Sequence, residues 1–145
     1  MKLETRITWL KWASIMVIGF GLLLTVSLIL DALFIWELFF DMAYFPTGIA
    51  AVSQAPDTLL IAAILGGVFA AWGVIMWQIA THLMWKEPEL ARKLVLTSVG
   101  SWFVLDSLGS VYVGAPLNVL YNLAFLAVLI APVLKPIEKD LVAGE

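Results

Sequence analysis

Residues 102–122 read W-F-V-L-D-S-L-G-S-V-Y-V-G-A-P-L-N-V-L-Y-N, two apolar runs that are separated by a short turn. Gly114 and Ala115 form the turn, and a proline suits the first position of the helix that follows it. Extended outward, each run approaches the ~20 residues that a helix needs to cross ~30 Å of hydrocarbon. The stretch therefore predicts an antiparallel pair of membrane-spanning helices, at about residues 94–113 and 117–134.

Two further apolar stretches precede this pair, at about residues 12–30 and 58–85. All four are continuous runs rather than the alternating segments of a membrane β-barrel, and lipid leaves their backbone groups no partner except the helix itself. We expect the first to be a retained anchor, because it is longer than a signal-peptide core and no A-x-A-like cleavage site follows it. The predicted fold is all-α, a single polytopic domain of four transmembrane helices over residues 1–145.

The composition agrees with a membrane protein. Hydrophobic residues make up 63% of the 145 residues and charged residues 13%, which is too apolar for a soluble domain of this size. The chain has no cysteine and one histidine, which excludes a disulfide framework, a thiol nucleophile and a cysteine-based metal site. We expect no metal and no cofactor, and no motif for a hydrolase, a nucleotide site or a nucleic-acid partner is present.

Positive charge is predicted to lie on one side of the membrane. With four spans and both termini on one side, all eight Lys and Arg fall on that side, which the positive-inside rule assigns to the cytoplasm. Six acids accompany these eight bases, for a net charge of +2, whereas the outer side carries four acids and no base. The bases are Lys2, Arg6, Lys11, Lys86, Arg92, Lys93, Lys135 and Lys139, and the outer acids are Asp31, Glu37, Asp41 and Asp57.

The connection between the first two spans, residues 31–57, is too long for a turn and unusually aromatic. Glu37 and Asp41 are four residues apart and share one face of a helix, which favours a helix lying in the outer headgroup region. Its rings are Phe34, Trp36, Phe39, Phe40 and Tyr44. In the alternative interpretation these rings extend the first helix past the interface as an aromatic belt, and Trp36 is assigned to that belt.

Asp106 is the one charge that lies inside a predicted span, where a carboxylate costs ~2.5–3.5 kcal/mol. It lies eight residues before Gly114, and Asn122 lies seven residues after Ala115, so both are about 11–12 Å from the turn at ~1.5 Å per residue. These two side chains can therefore meet across the hairpin. The same counting pairs Ser110 with Asn118, one turn nearer to Gly114. The predicted polar cluster between the third and fourth spans is therefore Asp106, Ser110, Asn118 and Asn122.

Weaker candidates lie around this cluster. Ser107 and Tyr112 are candidates to contribute from its flanks, and Asp31 is a weaker candidate on the outer side. Trp102, one turn from Asp106, is favoured as a lipid-facing or packing ring over the alternative in which it shields the acid. His82 is the single histidine, and an interfacial polar role is favoured over a proton relay. One histidine is too few for a metal or haem site.

The cluster itself has two interpretations. As an interhelical contact, with Gly109 and Gly114 allowing close approach, it needs only hydrogen-bonding groups and contributes ~0.6–2 kcal/mol per bond. As a protonatable or cation-binding site open to the outer side, with Asn118 and Asn122 completing an oxygen shell, it needs the carboxylate of Asp106.

The second predicted span carries two adjacent rows of small residues, Ala62-Gly66-Ala70 and Ala63-Gly67-Ala71, which place it in the centre of a bundle or in a homo-oligomer contact. The leading hypothesis is therefore a non-enzymatic accessory or self-associating component of a membrane complex, with membrane lipids and other copies of the chain as partners. One alternative is a small proton- or cation-coupled transporter or channel component that uses Asp106. Another is an outer-leaflet lipid-modifying enzyme that works with Asp106, Asn118, Asn122 and Asp31. That hypothesis needs a second acid close to Asp106, which the sequence does not place there.

The sequence W-F-V-L-D-S-L-G-S at residues 102–110, followed by G-A-P-L-N at residues 114–118, resembles that of a family of small four-helix bacterial inner-membrane proteins. The likeness extends to G-G-V-F-A-A-W-G-V-I-M-W at residues 66–77 and so covers about the last 80 residues. The resemblance implies a four-span topology and a location in the bacterial plasma membrane, and it carries over no catalytic or binding residue.

Overall fold

The computed structural model describes residues 1–48 and 53–136, and this part of the chain contains helices and no strands. The predicted all-α class is therefore confirmed. The helices are α1 (Leu3–Ile29), α2 (Phe34–Ala43), α3 (Pro56–Gln78), a π-helical turn (Ile79–Leu83), α4 (Met84–Lys86), α5 (Pro88–Tyr112) and α6 (Pro116–Ile130). One predicted cytoplasmic base and three acids lie outside the described residues: Lys139, Glu138, Asp140 and Glu145.

Three helical stretches are long and apolar enough to cross a membrane, namely Leu3–Ile29, Pro56–Lys86 and Pro88–Tyr112. The first and third begin nine and six residues before the predicted spans, because the helical backbone continues past the apolar boundary through polar and charged residues. Helix α6 has only 15 residues, roughly 22 Å of length at ~1.5 Å per residue. It ends at residue 130 rather than at 134, because Pro132 has no backbone N–H to continue it.

Helix α1 packs closely against α3 at glycines of both helices. A side chain at Gly66 would collide with Thr25 and with the backbone of Gly21, and one at Gly21 would collide with the backbone of Gly66 and Ala70. The first small-residue row of α3 is therefore used for close contact inside the chain. A side chain at Gly67, in the second row, would meet nothing within 4 Å.

Helices α5 and α6 form the predicted antiparallel hairpin. Gly114 has a φ of 79°, in the left-handed region that glycine adopts without a steric penalty, and the N–H of Ala115 donates to the carbonyl of Ser110 at 2.8 Å. The expectation that Gly109 allows close approach is wrong, since a side chain there would meet nothing within 4 Å. A side chain at Gly114 also would meet nothing, so glycine is needed there for the turn and not for helix contact.

The start of α1 holds the end of α6. The guanidinium of Arg6, whose side chain is buried, donates to the carbonyls of Lys135 at 2.7 Å and Pro132 at 3.3 Å. Arg92 on α5 donates to the carbonyl of Val133 at 3.0 Å. These bonds satisfy backbone carbonyls of the segment that follows α6. The start of α1, the start of α5 and the end of α6 therefore lie at one end of the bundle, which we call the basic end.

A short helix, α2, occupies part of the long aromatic connection. Asp31, with a φ of 54°, lies at the reversal between α1 and α2. Trp36 is only 3% exposed, and its indole N–H donates to Ser27 Oγ at 2.8 Å. The assignment of Trp36 to an interfacial belt is wrong, because this N–H finds its partner inside the bundle instead of at a wet surface. Helix α2 therefore packs against the end of α1.

Candidate functional site

The residues of the predicted polar cluster are hydrogen-bonded to each other. Oδ1 of Asp106 accepts hydrogen bonds from Nδ2 of Asn122 at 2.9 Å, from Nδ2 of Asn118 at 3.0 Å and from Oγ of Ser110 at 3.1 Å. Asn118 also donates to Ser110 Oγ at 2.9 Å, and Asn122 to Ser107 Oγ at 3.4 Å. Both predicted cross-hairpin pairs, 106 with 122 and 110 with 118, are thus in contact.

The two oxygens of Asp106 have different surroundings. Three donors converge on Oδ1, an arrangement that matches the negative charge of an ionised carboxylate. Oδ2 accepts no hydrogen bond from the described residues. It is also not fully enclosed, because the fully buried side-chain atoms without a partner in the described part of the chain are Thr81 Oγ1 and Trp102 Nε1. Oδ2 is therefore the oxygen available to another molecule.

The amides of Asn118 and Asn122 face Asp106 with their nitrogens. This orientation differs from that of the expected cation shell, in which the amide oxygens would face the cation, and that expectation stays a prediction. The amides turn their N–H groups toward Asp106 because a carboxylate oxygen accepts hydrogen bonds. The two asparagines position and stabilise the carboxylate.

Asp106 lies on the wall of a small cavity of about 80 Å³. Its other walls are mostly apolar and come from α1, α2, α3, α5 and α6. Six of the lining residues are aromatic: Phe20, Phe39, Phe69, Trp102, Tyr121 and Phe125. No Lys, Arg or His is among the described residues that line it.

Sequence reasoning missed most of these aromatic residues. Phe20 and Phe69 lie in helices that are apolar on every face, so no hydrophobic periodicity marks the inward side. The available signal was on α6, where Tyr121 adjoins Asn122 and Phe125 follows it by about one turn, on the face that carries the asparagines.

Five aromatic rings form a closed circuit of contacts across the bundle. Helices α1, α3, α5 and α6 each contribute at least one ring. We call this circuit the aromatic girdle: Phe20, Phe69, Trp72, Trp102 and Phe125. Successive ring centroids are 5.4, 6.1, 5.7, 6.4 and 6.0 Å apart, within the range of favourable aromatic pairs.

The girdle lies between the polar cluster and the basic end. Trp102 precedes Asp106 by one turn of α5, and Phe125 follows Asn122 by about one turn of α6. Both steps lead toward the basic end, because α5 begins there and α6 ends there. The carboxylate is therefore separated by a layer of rings from the end of the bundle that carries Arg6 and Arg92.

The weaker candidates divide into two groups. Trp102 lines the cavity, and Ser107 touches the cluster through Asn122. Tyr112 is 91% exposed and lies outside the cluster, because six residues after Asp106 amount to ~600° around the helix, which leads to another face.

The remaining two weaker candidates are also outside the site. Asp31 and His82 are exposed and do not line the cavity, and His82 lies in the π-helical turn near the basic end. Within residues 1–48 and 53–136, no group of three or more His, Cys, Asp or Glu is placed to hold a metal ion.

No family model, no curated protein and no solved structure matches this chain. The resemblance of residues 102–118 to small bacterial inner-membrane proteins therefore stays an expectation, and the site is defined by its geometry alone.

Proposed function

We propose that this protein is an integral membrane protein that binds a cation at Asp106 and acts as a small cation transporter or channel component in a bacterial plasma membrane. The observation that carries the proposal is the carboxylate itself. One of its oxygens accepts three hydrogen bonds, the other accepts none from the described residues, and Asp106 lines a cavity whose described lining residues include no basic side chain.

The charge distinguishes this role from that of an interhelical contact. A neutral asparagine at position 106 would also join α5 to α6, without the ~2.5–3.5 kcal/mol that a carboxylate costs in the membrane interior. Three neutral donors compensate part of that cost, but they supply no positive charge. In this proposal the counter-charge is a cation that enters the cavity and meets Oδ2.

We place four helices across the membrane, with both termini in the cytoplasm. The hydrogen bonds from Arg6 to the carbonyls of Pro132 and Lys135 support this topology, because a chain whose two ends meet crosses an even number of times. Helix α6 is short, and the apolar residues up to Leu134 lengthen its span. The basic end then faces the cytoplasm, as the positive-inside rule requires.

In this topology α2 lies at the outer interface. One of its faces packs inward through Trp36, whereas Phe34 and Leu38 on another face are exposed and available to the headgroup region. The cavity then lies in the outer half of the membrane, and the aromatic girdle closes it toward the cytoplasm.

The experiment is a flux measurement with the full chain reconstituted in liposomes. Gradients of H⁺, Na⁺, K⁺ and methylammonium are imposed in turn, and the flux is compared between the wild type, Asp106→Asn and the control Asp57→Asn, which removes an exposed acid at the start of α3. We expect Asp106→Asn to abolish a flux that Asp57→Asn leaves intact. Equal fluxes in Asp106→Asn and the wild type, with normal assembly of both, would overturn the proposal.

A second candidate function, self-association, has its own observation. Ala63, Gly67 and Ala71 form an exposed row of small residues on α3, beside the row that α1 already covers. Such a row suits a helix of a second copy of the chain. The third hypothesis, a lipid-modifying enzyme, gains no support, since Asp106 is the only acid among the described residues that line the cavity.

A further inference from the structure

We infer that the ion bound at Asp106 is a small organic ammonium ion rather than a metal ion. This inference rests on the proposed binding of a cation at Asp106 and specifies its chemical class.

The polar part of the cavity is poorly suited to a metal ion. Ca²⁺ takes about six to eight oxygen ligands, Mg²⁺ takes about six of which several are usually waters, and K⁺ in channel filters exchanges its water for carbonyl oxygens. Here a single carboxylate is present, its Oδ1 already accepts three hydrogen bonds, and the two nearest amides present nitrogen toward it. No group of three potential metal-binding side chains exists in the described part of the chain.

The apolar part of the cavity suits an ammonium ion. The electron-rich faces of aromatic rings attract cations, and cages of such rings are a recurrent binding site for alkylated ammonium groups, whose hydration is weak. Six of the residues lining this cavity are aromatic, among them Phe20, Tyr121 and Phe125. A carboxylate oxygen on one wall and rings on the others provide one full negative charge together with a surface for methyl groups.

The size of the cavity limits the ligand. Its volume of about 80 Å³ is roughly half that of the ~150 Å³ cavities that hold benzene. Methylammonium fits, and tetramethylammonium, with five non-hydrogen atoms, is near the upper limit without movement of the rings. We therefore expect affinity to fall for ammonium ions with longer alkyl chains.

The test is equilibrium binding to the purified full chain in lipid nanodiscs, measured by titration calorimetry. Methylammonium and tetramethylammonium chloride are titrated, with tert-butanol as a neutral compound of similar size and with NaCl, KCl and MgCl₂ as inorganic competitors. We expect saturable binding of at least one of the two ammonium ions, no binding of tert-butanol, and no competition by the inorganic cations beyond a general effect of ionic strength.

Two substitutions separate the inference from the proposal on which it rests. Asp106→Asn should abolish ammonium binding, and Phe125→Leu should weaken it about three- to thirtyfold, the range of one cation–π contact. Phe34→Leu, at an exposed ring of α2 outside the cavity, should leave it unchanged. Thermal unfolding of each variant establishes that it is folded, and Phe20→Leu takes the place of Phe125→Leu if the latter is not.

The possible results are distinct. Binding of an inorganic cation that depends on Asp106 but is unaffected by Phe125→Leu and by ammonium ions would overturn the inference and leave the proposed function standing. Absence of any cation binding that depends on Asp106 would overturn both.

Discussion

Arg6 and Lys135 are 129 positions apart in the sequence, yet Nη1 of the arginine lies 2.7 Å from the carbonyl oxygen of the lysine. The guanidinium of Arg6 is therefore hydrogen-bonded to backbone carbonyls of the segment that follows α6. The contact joins the beginning and the end of the described chain, and the proposed topology depends on it.

Cysteine labelling tests this topology directly. Because the natural chain has no cysteine, single substitutions Lys2→Cys, Ser53→Cys and Lys135→Cys each introduce one reactive thiol at an exposed position. In intact bacterial spheroplasts we expect a membrane-impermeant maleimide to label position 53, and to label positions 2 and 135 only after permeabilisation. Labelling of positions 2 and 135 from opposite sides would contradict an even number of crossings.

Loss of the Arg6 side-chain contacts should loosen the end of the chain. Arg6→Gln removes charge-assisted hydrogen bonds worth ~1.5–3 kcal/mol each to the carbonyls of Pro132 and Lys135. We expect amide hydrogen exchange of Val133, whose N–H donates to the carbonyl of Ile130 at 2.9 Å, to accelerate about tenfold or more, while Lys2→Gln, a nearby change of charge, has no such effect. Unchanged exchange in Arg6→Gln would mean that other contacts hold this segment.

The sequence was informative about the hairpin because α-helix geometry is regular. The number of residues from Gly114 to Asp106 and from Ala115 to Asn122 determines their depths, and side chains at equal depth on adjacent helices meet. The sequence was uninformative about Trp36 and Phe20 because their helices are apolar on several faces, so the inward face depends on packing that no local pattern encodes.

Two predictions from the sequence, the end of α6 and the packing role of Gly109, are wrong because local sequence does not distinguish the alternatives. Hydropathy alone extends the last span to residue 134. It takes no account of the missing backbone N–H of Pro132 or of the arginines that donate hydrogen bonds to the carbonyls that follow α6. Residue type alone predicts a packing role for Gly109, but helix packing requires a glycine only where another helix approaches closely, and none of the described helices does so there.

The two small-residue rows of α3 should respond differently to substitution. Gly66→Ala places a methyl group against Thr25 and the backbone of α1, so we expect a loss of about 1–3 kcal/mol of stability in thermal or denaturant unfolding. Gly67→Ala meets open space and should not destabilise the single chain; alanine's higher helix propensity should raise its stability by up to about 1 kcal/mol.

The exposed row also tests self-association. If copies of the chain associate through Ala63, Gly67 and Ala71, Gly67→Leu should reduce the oligomer fraction in nanodiscs or in cross-linking, without unfolding the chain. An oligomer fraction equal to that of the wild type would contradict association through this face.

The polar cluster should stabilise the hairpin of α5 and α6. Asn122 is buried and donates to Asp106 at 2.9 Å, so Asn122→Ala should cost about 1–3 kcal/mol in unfolding free energy. Ser101→Ala, at an exposed position of α5 one turn before the level of Asp106, is the matched control and should have little effect. Equal stabilities of the two variants would show that the cluster contributes little to the contact.

The central claim is that Asp106 matters for its charge and not only for its hydrogen bonds. The most direct measurement determines thermal unfolding and cation flux on the same reconstituted samples of the wild type, Asp106→Asn and Asp106→Glu. The account predicts that Asp106→Asn unfolds within a few degrees of the wild type but conducts no cation, whereas Asp106→Glu keeps part of the flux. A folded Asp106→Asn variant with the full flux of the wild type would contradict it.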